Sequence, residues 1–160
     1  MAIVIFSGCS RQHVVSVTTP LFIQFPINTH VFDNIAPLLY EAVHQQLLHA
    51  GFLLVDQADH AYCLVITIKS LDPSQKNISP DVILHSYRVR MVYNIRLLNY
   101  QHKEIFNHTD TCAILISKPR NPTLNDTFIH HMYQALASRA ARLIQQQLIT
   151  NIKHLFDEPS

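Results

Sequence analysis

The sequence predicts an α+β fold, a two-layer sandwich in which about four strands form a mixed sheet and two helices cover one of its faces. Three observations predict it: polar and apolar residues alternate along several stretches, an apolar stripe with helical spacing occurs twice, and the order of elements is strand, helix, three strands, helix. The chain has 160 residues, of which 48% are hydrophobic and 14% charged. That is enough for one domain with a single core.

The chain is expected to open with a strand and a helix. Residues 14–25 are rich in β-branched and aromatic side chains and end at Pro26, which is typical of a strand. A helix should begin near Asp33 or Asn34, because either side chain can cap its first N–H groups. Gly51 should end it, because glycine readily adopts the left-handed conformation that follows many helices.

The next clear strand is expected at residues 61–71, where the pattern alternates with period two. Residues 52–55 also resemble the start of a strand, but the polar residues 56–59 interrupt it. Since a strand, helix and strand form a right-handed crossover, the strands on either side of the helix should be parallel. Residues 72–81 contain Asp-Pro and Ser-Pro steps and predict a polar loop.

A hairpin and a long helix are expected to complete the domain. The strongest alternation covers residues 86–100, and a short turn at 99–103 joins it to a strand at 104–116. After a loop at 117–126, a helix should run from about Asn125 to Ile149 or beyond. Its apolar stripe has helical spacing and consists of Ile129, Met132, Leu136, Ala140, Leu143, Ile144 and Leu148.

The front of the chain predicts a lipid anchor at Cys9. An apolar stretch is followed by Phe6-Ser7-Gly8-Cys9, which resembles a bacterial lipobox, whose cysteine is acylated and becomes the mature N-terminus. The expected organisation is residues 1–8 as a signal-peptide remnant, 9–20 as a lipid tether running into the first strand, 21–156 as the single α+β domain and 157–160 as a frayed tail. A lipid on Cys9 would anchor the domain to a membrane without spanning it.

A row of basic residues is the main candidate site. On the strand at 86–100, the positions of one parity carry Arg88, Arg90 and Arg96, and Lys69 has the equivalent parity on the preceding strand. Lys118 and Arg120 add charge in the following loop. The row is either a solvated sheet face or a site for anionic groups, since arginine makes paired contacts with phosphate.

Apolar residues share the parity of this basic row, namely Val65, Val92 and Leu98. Mixed cationic and apolar character suits a phosphorylated, acylated amphiphile or a protein interface. Nucleic acid is not expected as a partner, because stacking aromatic residues are lacking at these positions and the formal net charge is only +1.

Enzyme and metal signatures are weak in this sequence. Two glycines exclude a Walker A loop and a dinucleotide-binding fingerprint, and neither GxSxG nor HExxH occurs. The eleven histidines lack the spacing of metal ligands. No catalytic residue, metal or cofactor is therefore expected, apart from the covalent lipid on Cys9. Cys63 and Cys112 could pair or could be buried free thiols, and the sequence leaves both open.

Two segments resemble the LptE lipoproteins of outer-membrane lipopolysaccharide assembly. They are Ile23-Gln24-Phe25-Pro26-Ile27-Asn28-Thr29 and, after a helix that ends at Gly51, Ala58-Asp59-His60-Ala61-Tyr62-Cys63-Leu64. The Tyr87-Arg88-Val89 strand, the hairpin and the closing Ala/Gln-rich helix continue the likeness, which covers about residues 9 to 150.

The resemblance implies a non-enzymatic protein on the periplasmic face of the outer membrane, held there by a lipid on Cys9. It implies a plug that helps assemble an LptD-type β-barrel and that binds lipopolysaccharide. The lipid-phosphate candidates would be Lys69, Arg88, Arg90, Arg96, Lys118 and Arg120.

An alternative is an envelope-complex adaptor or secretion-channel lipoprotein of the CsgG or TolB-amino-terminal type. Those proteins also have an apolar strand, a Phe-x-Asn step, a helix, a glycine and an Ala-Asp strand, but the likeness is mostly confined to residues 21–70. The extended hairpin at 86–116 followed by one long helix favours the LptE family.

Overall fold

The structure is a computed structural model that describes residues 17–28, 35–76, 86–117 and 125–156. In chain order its elements are β1 (Val17–Ile23), β2 (Ile27–Asn28), α1 (Ile35–His49), β3 (Phe52–Val55), β4 (Tyr62–Lys76), β5 (Ser86–Leu98), β6 (Glu104–Ser117) and α2 (Asn125–Phe156). Cys9, Lys118, Arg120 and the tail at 157–160 lie outside the described residues, and so do the expectations attached to them.

The α+β class is confirmed: two helices pack on one mixed sheet. The strand order is β3-β1-β4-β5-β6, and β2 adds to β4. β1 is parallel to β3 and to β4, as the crossover rule predicts. β4 and β5 are antiparallel, and so are β5 and β6.

In the part of the chain that the structure describes, the sheet has six strands where about four were expected. Residues 52–55 form β3 beside β1 despite the polar segment that follows, and residues 27–28 pair with β4 at Thr67 and Ile68. Such short strands leave little pattern in the sequence, because neighbours distant along the chain supply their backbone partners.

β4 is longer than its sequence pattern suggests. It continues to Lys76, through part of the expected 72–81 loop, because its ladder with β5 extends past Pro73 opposite Val89. A proline is tolerated at position 73 because, on the side of β4 that faces away from β5, β2 pairs only with Thr67 and Ile68. No described strand on that side therefore needs an N–H from Pro73. The register shifts between Ile68 and Ser70, which accommodates Lys69 as an extra residue.

The core lies between the helices and one face of the sheet. That face is built from alternate strand positions, which are fully or almost fully buried: Leu21, Ile23, Leu64, Ile66, Ile68, Val89, Met91, Tyr93, Ile95 and Leu97. The α2 stripe is confirmed by the burial of Met132, Leu136, Ala140, Ile144 and Leu148. Because successive strand residues point to opposite faces, the Arg-bearing positions of β5 must lie on the other side.

The end of α1 follows its sequence signals. The helix ends at His49, and Gly51 holds a φ of 89° while its N–H donates to the carbonyl of Leu48. This left-handed position favours glycine because it has no Cβ. Among the described residues, neither helix is long and apolar enough to cross a membrane.

Candidate anion-binding face

The sheet face opposite the helices carries the predicted basic row; it is called the open face below. Lys69, Arg88, Arg90 and Arg96 all lie on it, since they occupy the positions between the buried ones. Lys69, Arg88 and Arg90 are exposed, and Arg96 is half-buried. The structure therefore brings together the four predicted basic residues that fall within its described ranges.

The spacing of these cations divides the row into two ends. At roughly 3.4 Å per residue, Arg88 and Arg90 lie about 7 Å apart along β5, whereas Arg90 and Arg96 lie about 20 Å apart. One phosphate can therefore contact the Arg88–Arg90 pair but cannot also reach Arg96. A ligand that uses the whole row needs at least two anionic groups.

Lys69 occupies the gap between the two ends. Its ammonium Nζ lies 3.4 Å from Thr109 Oγ1 on β6, so its side chain crosses over β5. This reach moves the Lys69 charge away from its own strand and above the middle of the basic row.

Asn94 lies on the open face beneath the Lys69 side chain and is held by hydrogen bonds to β6. It is only 8% exposed, and its Nδ2 lies 2.8 Å from Asn107 Oδ1, 3.0 Å from Thr109 Oγ1 and 3.1 Å from the His108 carbonyl. One NH₂ group has two hydrogens, so three acceptors share them. This network ties β5 to β6 through side chains at the level where Lys69 crosses.

A carboxylate limits the positive charge at one point of the open face. Asp72 is the β4 partner of Arg90 and is exposed. Because charges on exposed side chains are screened by solvent, Asp72 offsets the positive charge of Arg90 only weakly. Sequence reasoning missed Asp72 because it was expected in the 72–81 loop.

Apolar surface adjoins the cations. Leu115 of β6 pairs with Arg88 across the open face and is 67% exposed. Val92, one position along the face from Arg90, is half-buried. The combination of guanidinium groups and an exposed leucine fits an amphiphile, because a phosphate and an acyl chain can be contacted side by side.

A groove continues from the open face around the outer edge of β6. Its volume is about 770 Å³, and its walls include Arg88 and Arg90 of β5 together with Arg139 and Leu143 of α2. Arg139 is exposed and lies on the other side of β6 from Arg90. Sequence reasoning missed Arg139; its only signal is its position beside the buried stripe residues Leu136 and Ala140.

The two described cysteines are buried free thiols on opposite faces of the sheet. Cys63 pairs with Leu98 on the open face, and Cys112 pairs with Met91 of the core. Burial raises the pKa of Cys63, and it raises the pKa of Cys112 to about 12 although Arg139 opposes the shift. Neither thiol is a ready nucleophile.

The core face also holds a buried phenol. Tyr93 is fully buried, and its hydroxyl donates over 3.5 Å to Asp110 Oδ2. Burial, and then the nearby Asp110 carboxylate, raise the pKa of Tyr93 far above its usual range. Within the described ranges, no three His, Cys, Asp or Glu side chains come together as metal ligands would.

No protein-family model matches the sequence, and no curated protein matches it. Solved structures do resemble it. A minor lipoprotein from Acinetobacter baumannii has a TM-score of 0.58 at 16% identity, over 86% of this chain and 93% of that chain. The rare lipoprotein B from Shewanella oneidensis has a TM-score of 0.58 at 14% identity, over 86% of this chain and 98% of that chain.

A protein from Xanthomonas campestris has a TM-score of 0.62 at 14% identity, over 88% of this chain and 89% of that chain. Most of this chain therefore has the same architecture as several bacterial proteins, two of which are lipoproteins by name. At these identities the likeness establishes a shared fold.

Proposed function

We propose that this chain is a non-enzymatic lipoprotein of the outer membrane, of LptE type, that binds lipopolysaccharide on the open face of its sheet. The observation that carries the proposal is the row Lys69, Arg88, Arg90 and Arg96 on a face that no described helix covers. A phosphorylated lipid supplies two or more anionic groups and an apolar part, which matches the two-ended row beside Leu115.

The proposal extends to an anchor and a partner. Acylation of Cys9 would hold the domain at the periplasmic face of the outer membrane. The partner would be an LptD-type β-barrel, which this domain would plug and help to assemble. The lipobox-like sequence and the lipoprotein names of two structurally similar proteins support the anchor; the sequence resemblance to LptE proteins supports the barrel.

The lipid-binding part is tested with Arg88→Glu/Arg90→Glu. Each substitution removes a charge-assisted contact and places a carboxylate near the phosphate, so affinity for vesicles containing lipopolysaccharide should fall by about tenfold or more. Vesicles of zwitterionic phospholipid alone provide the reference. Flotation through a density gradient measures the bound fraction.

A matched control is Lys103→Glu/Arg142→Glu, which makes the same change in net charge at exposed positions in the hairpin turn and on α2. It should bind the vesicles as the unmodified protein does. If both double variants lose binding equally, net charge governs it and the open face is not the site. Unchanged binding by Arg88→Glu/Arg90→Glu would also reject the site.

The anchor and the partner have separate tests. Cys9→Ser should move the protein from the membrane fraction to the soluble periplasmic fraction. If the variant stays in the membrane fraction of cells that lack the barrel partner, acylation at Cys9 is not the anchor. Purification of the tagged protein from detergent-solubilised envelopes should recover a large β-barrel in stoichiometric amount, whereas a homo-oligomer without a barrel would favour the adaptor or secretion-channel alternative.

A further inference from the structure

Among the described residues, the outer edge of β6 is a long sheet edge with no partner strand. β6 is the last strand in the sheet order, and the only ladder it forms with a described strand is the one with β5. It has 14 residues, several times the length of the opposite edge strand β3. Edges of this length offer a row of backbone N–H and C=O groups to another extended chain.

Two hydrogen bonds establish which residues point their backbone outward. The N–H of Thr111 donates over 2.6 Å to the Oδ1 of Asp110, so this N–H points away from β5. The carbonyl of His108 is reached by the side chain of Asn94 on β5, so that carbonyl points toward β5. Because the two directions alternate along an antiparallel strand, Thr109, Thr111, Ala113 and Leu115 present their backbone groups to the outside.

The groove along this edge is positively charged on both of its sides. On the open face, Arg90 pairs with Ala113, whose small side chain leaves the guanidinium accessible from the edge. On the helix side, Arg139 and the aliphatic side chain of Leu143 line the groove beside Ile114. Arg142 continues the charged border along α2 in a neighbouring hollow.

We propose that an extended acidic segment of a partner protein adds to β6 as a further strand of the sheet. Its backbone would pair with the outward groups of Thr111, Ala113 and Leu115. Its side chains would alternate between the open face and the helix side, so carboxylates on the two faces would meet Arg90 and Arg139 respectively. Leu143 and Ile114 would receive an apolar side chain between the charges.

The Asp110 carboxylate limits which extended segments can pair with this edge of β6. This carboxylate already accepts the Thr111 N–H, in the place that a partner carbonyl would take. It therefore protects the edge against indiscriminate pairing and repels an acidic strand at that one position. A bound strand would therefore displace the Asp110 carboxylate from the Thr111 N–H with its own carbonyl, and it would carry no carboxylate at that point.

The test uses the full chain, labelled with ¹⁵N, and two capped nine-residue peptides. One repeats Glu-Glu-Val three times and the other repeats Lys-Lys-Val three times, so that each face of the extended peptide carries both charged and apolar side chains. The glutamate peptide should slow hydrogen exchange of the Ala113 and Leu115 amides by about tenfold or more, while their inward-pointing neighbours change little. The lysine peptide should bind at least about tenfold more weakly.

Three variants separate this inference from lipid binding, which shares Arg88 and Arg90 with it. Thr111→Pro removes an outward N–H without changing any charge, and an edge strand accepts proline at such a position. Thr111→Pro should abolish binding of the glutamate peptide and leave binding to vesicles containing lipopolysaccharide unchanged. Thr111→Val keeps the N–H, so this variant should bind the peptide and the vesicles. Arg139→Glu should weaken the peptide alone.

Three results would overturn the strand addition: equal binding of both peptides, peptide binding by Thr111→Pro, or amide protection outside the outward positions of β6. None of them bears on the vesicle measurement. Conversely, loss of vesicle binding in Arg88→Glu/Arg90→Glu with intact peptide protection of β6 would assign the charge pair to lipid and would reject its role in the edge groove.

Discussion

Arg90 of β5 pairs with Ala113 of β6, the smallest side chain among the open-face positions of the last strand. A methyl group cannot screen the guanidinium, so Arg90 is accessible both from above the open face and from the outer edge of the sheet. The same arginine therefore serves the lipid-binding face and the edge groove. This geometry explains why one charge reversal should affect two different kinds of ligand.

Binding to lipopolysaccharide vesicles should weaken steeply with salt. Exposed charges are screened over about 8 Å at physiological ionic strength and over about 3 Å at 1 M. Because Lys69, Arg88 and Arg90 are exposed, raising the salt from 0.05 to 0.5 M should reduce the bound fraction in a flotation assay severalfold. A bound fraction that rises with salt would indicate apolar insertion through residues such as Leu115 as the dominant contribution.

Replacing Asn94 by alanine should destabilise the domain. Asn94 is almost buried and links β5 to Asn107 and Thr109, whose side-chain oxygens would each lose the Asn94 donor. The free energy of unfolding should fall by about 1–3 kcal/mol in a urea titration. Lys69→Ala, on the same face but exposed, should change it by less than about 0.5 kcal/mol. Equal effects of the two substitutions would contradict this account of the Asn94 network.

Gly51 should not tolerate a side chain. Its φ of 89° costs any residue with a Cβ about 1–2 kcal/mol. Gly51→Ala should therefore lower the free energy of unfolding by about that amount, whereas Leu48→Ala, at an exposed position one turn earlier, should have a smaller effect. A Gly51→Ala protein of unchanged stability would mean that the turn adopts another conformation.

The buried thiol of Cys112 should make the domain sensitive to alkali. Its pKa is raised to about 12 in the fold, from about 9 for an exposed thiol. Below pH 9 the Cys112 thiol is protonated in the folded and in the unfolded protein, so its ionisation favours neither of them. Above pH 9 the unfolded chain releases a proton that the folded protein retains. The free energy of unfolding should therefore fall between about pH 9 and 12, by about 1.4 kcal/mol per pH unit from this group.

Cys112→Ala tests that cause directly. The variant should be less stable at pH 7 by a constant offset, because a small cavity remains. Its stability should then fall less steeply than that of the unmodified protein above pH 9. Burial and Asp110 raise the pKa of Tyr93 in both proteins, so Tyr93 also contributes to the alkaline loss of stability in both. Parallel curves for the two proteins would show that Cys112 titrates normally.

Local pattern was sufficient for the helices and for the faces of the long strands. The alternation around Arg88, Arg90 and Arg96 predicts their common face, because a strand has a period of two whatever it pairs with. The α2 stripe likewise follows from helical spacing alone. These features depend on residues that are close in sequence.

Features that depend on distant partners could not be predicted in the same way. The extension of β4 through Pro73 requires the ladder with β5, and the short β3 requires β1 beside it. The position of β6 at the edge follows from the strand order, which no local pattern encodes. Arg139 therefore joins Arg90 around one groove although 49 residues separate them, counting from 90 to 139.

Photocrosslinking in the living cell can show whether lipopolysaccharide contacts the open face. A benzophenone side chain placed at Val92, on the open face among the cations, should crosslink to lipopolysaccharide. The same group at Gln45, exposed on α1, should not. Crosslinks from Val92 that disappear with Arg88→Glu/Arg90→Glu would establish the open face as the lipid site. Crosslinks from Gln45 and none from Val92 would contradict it.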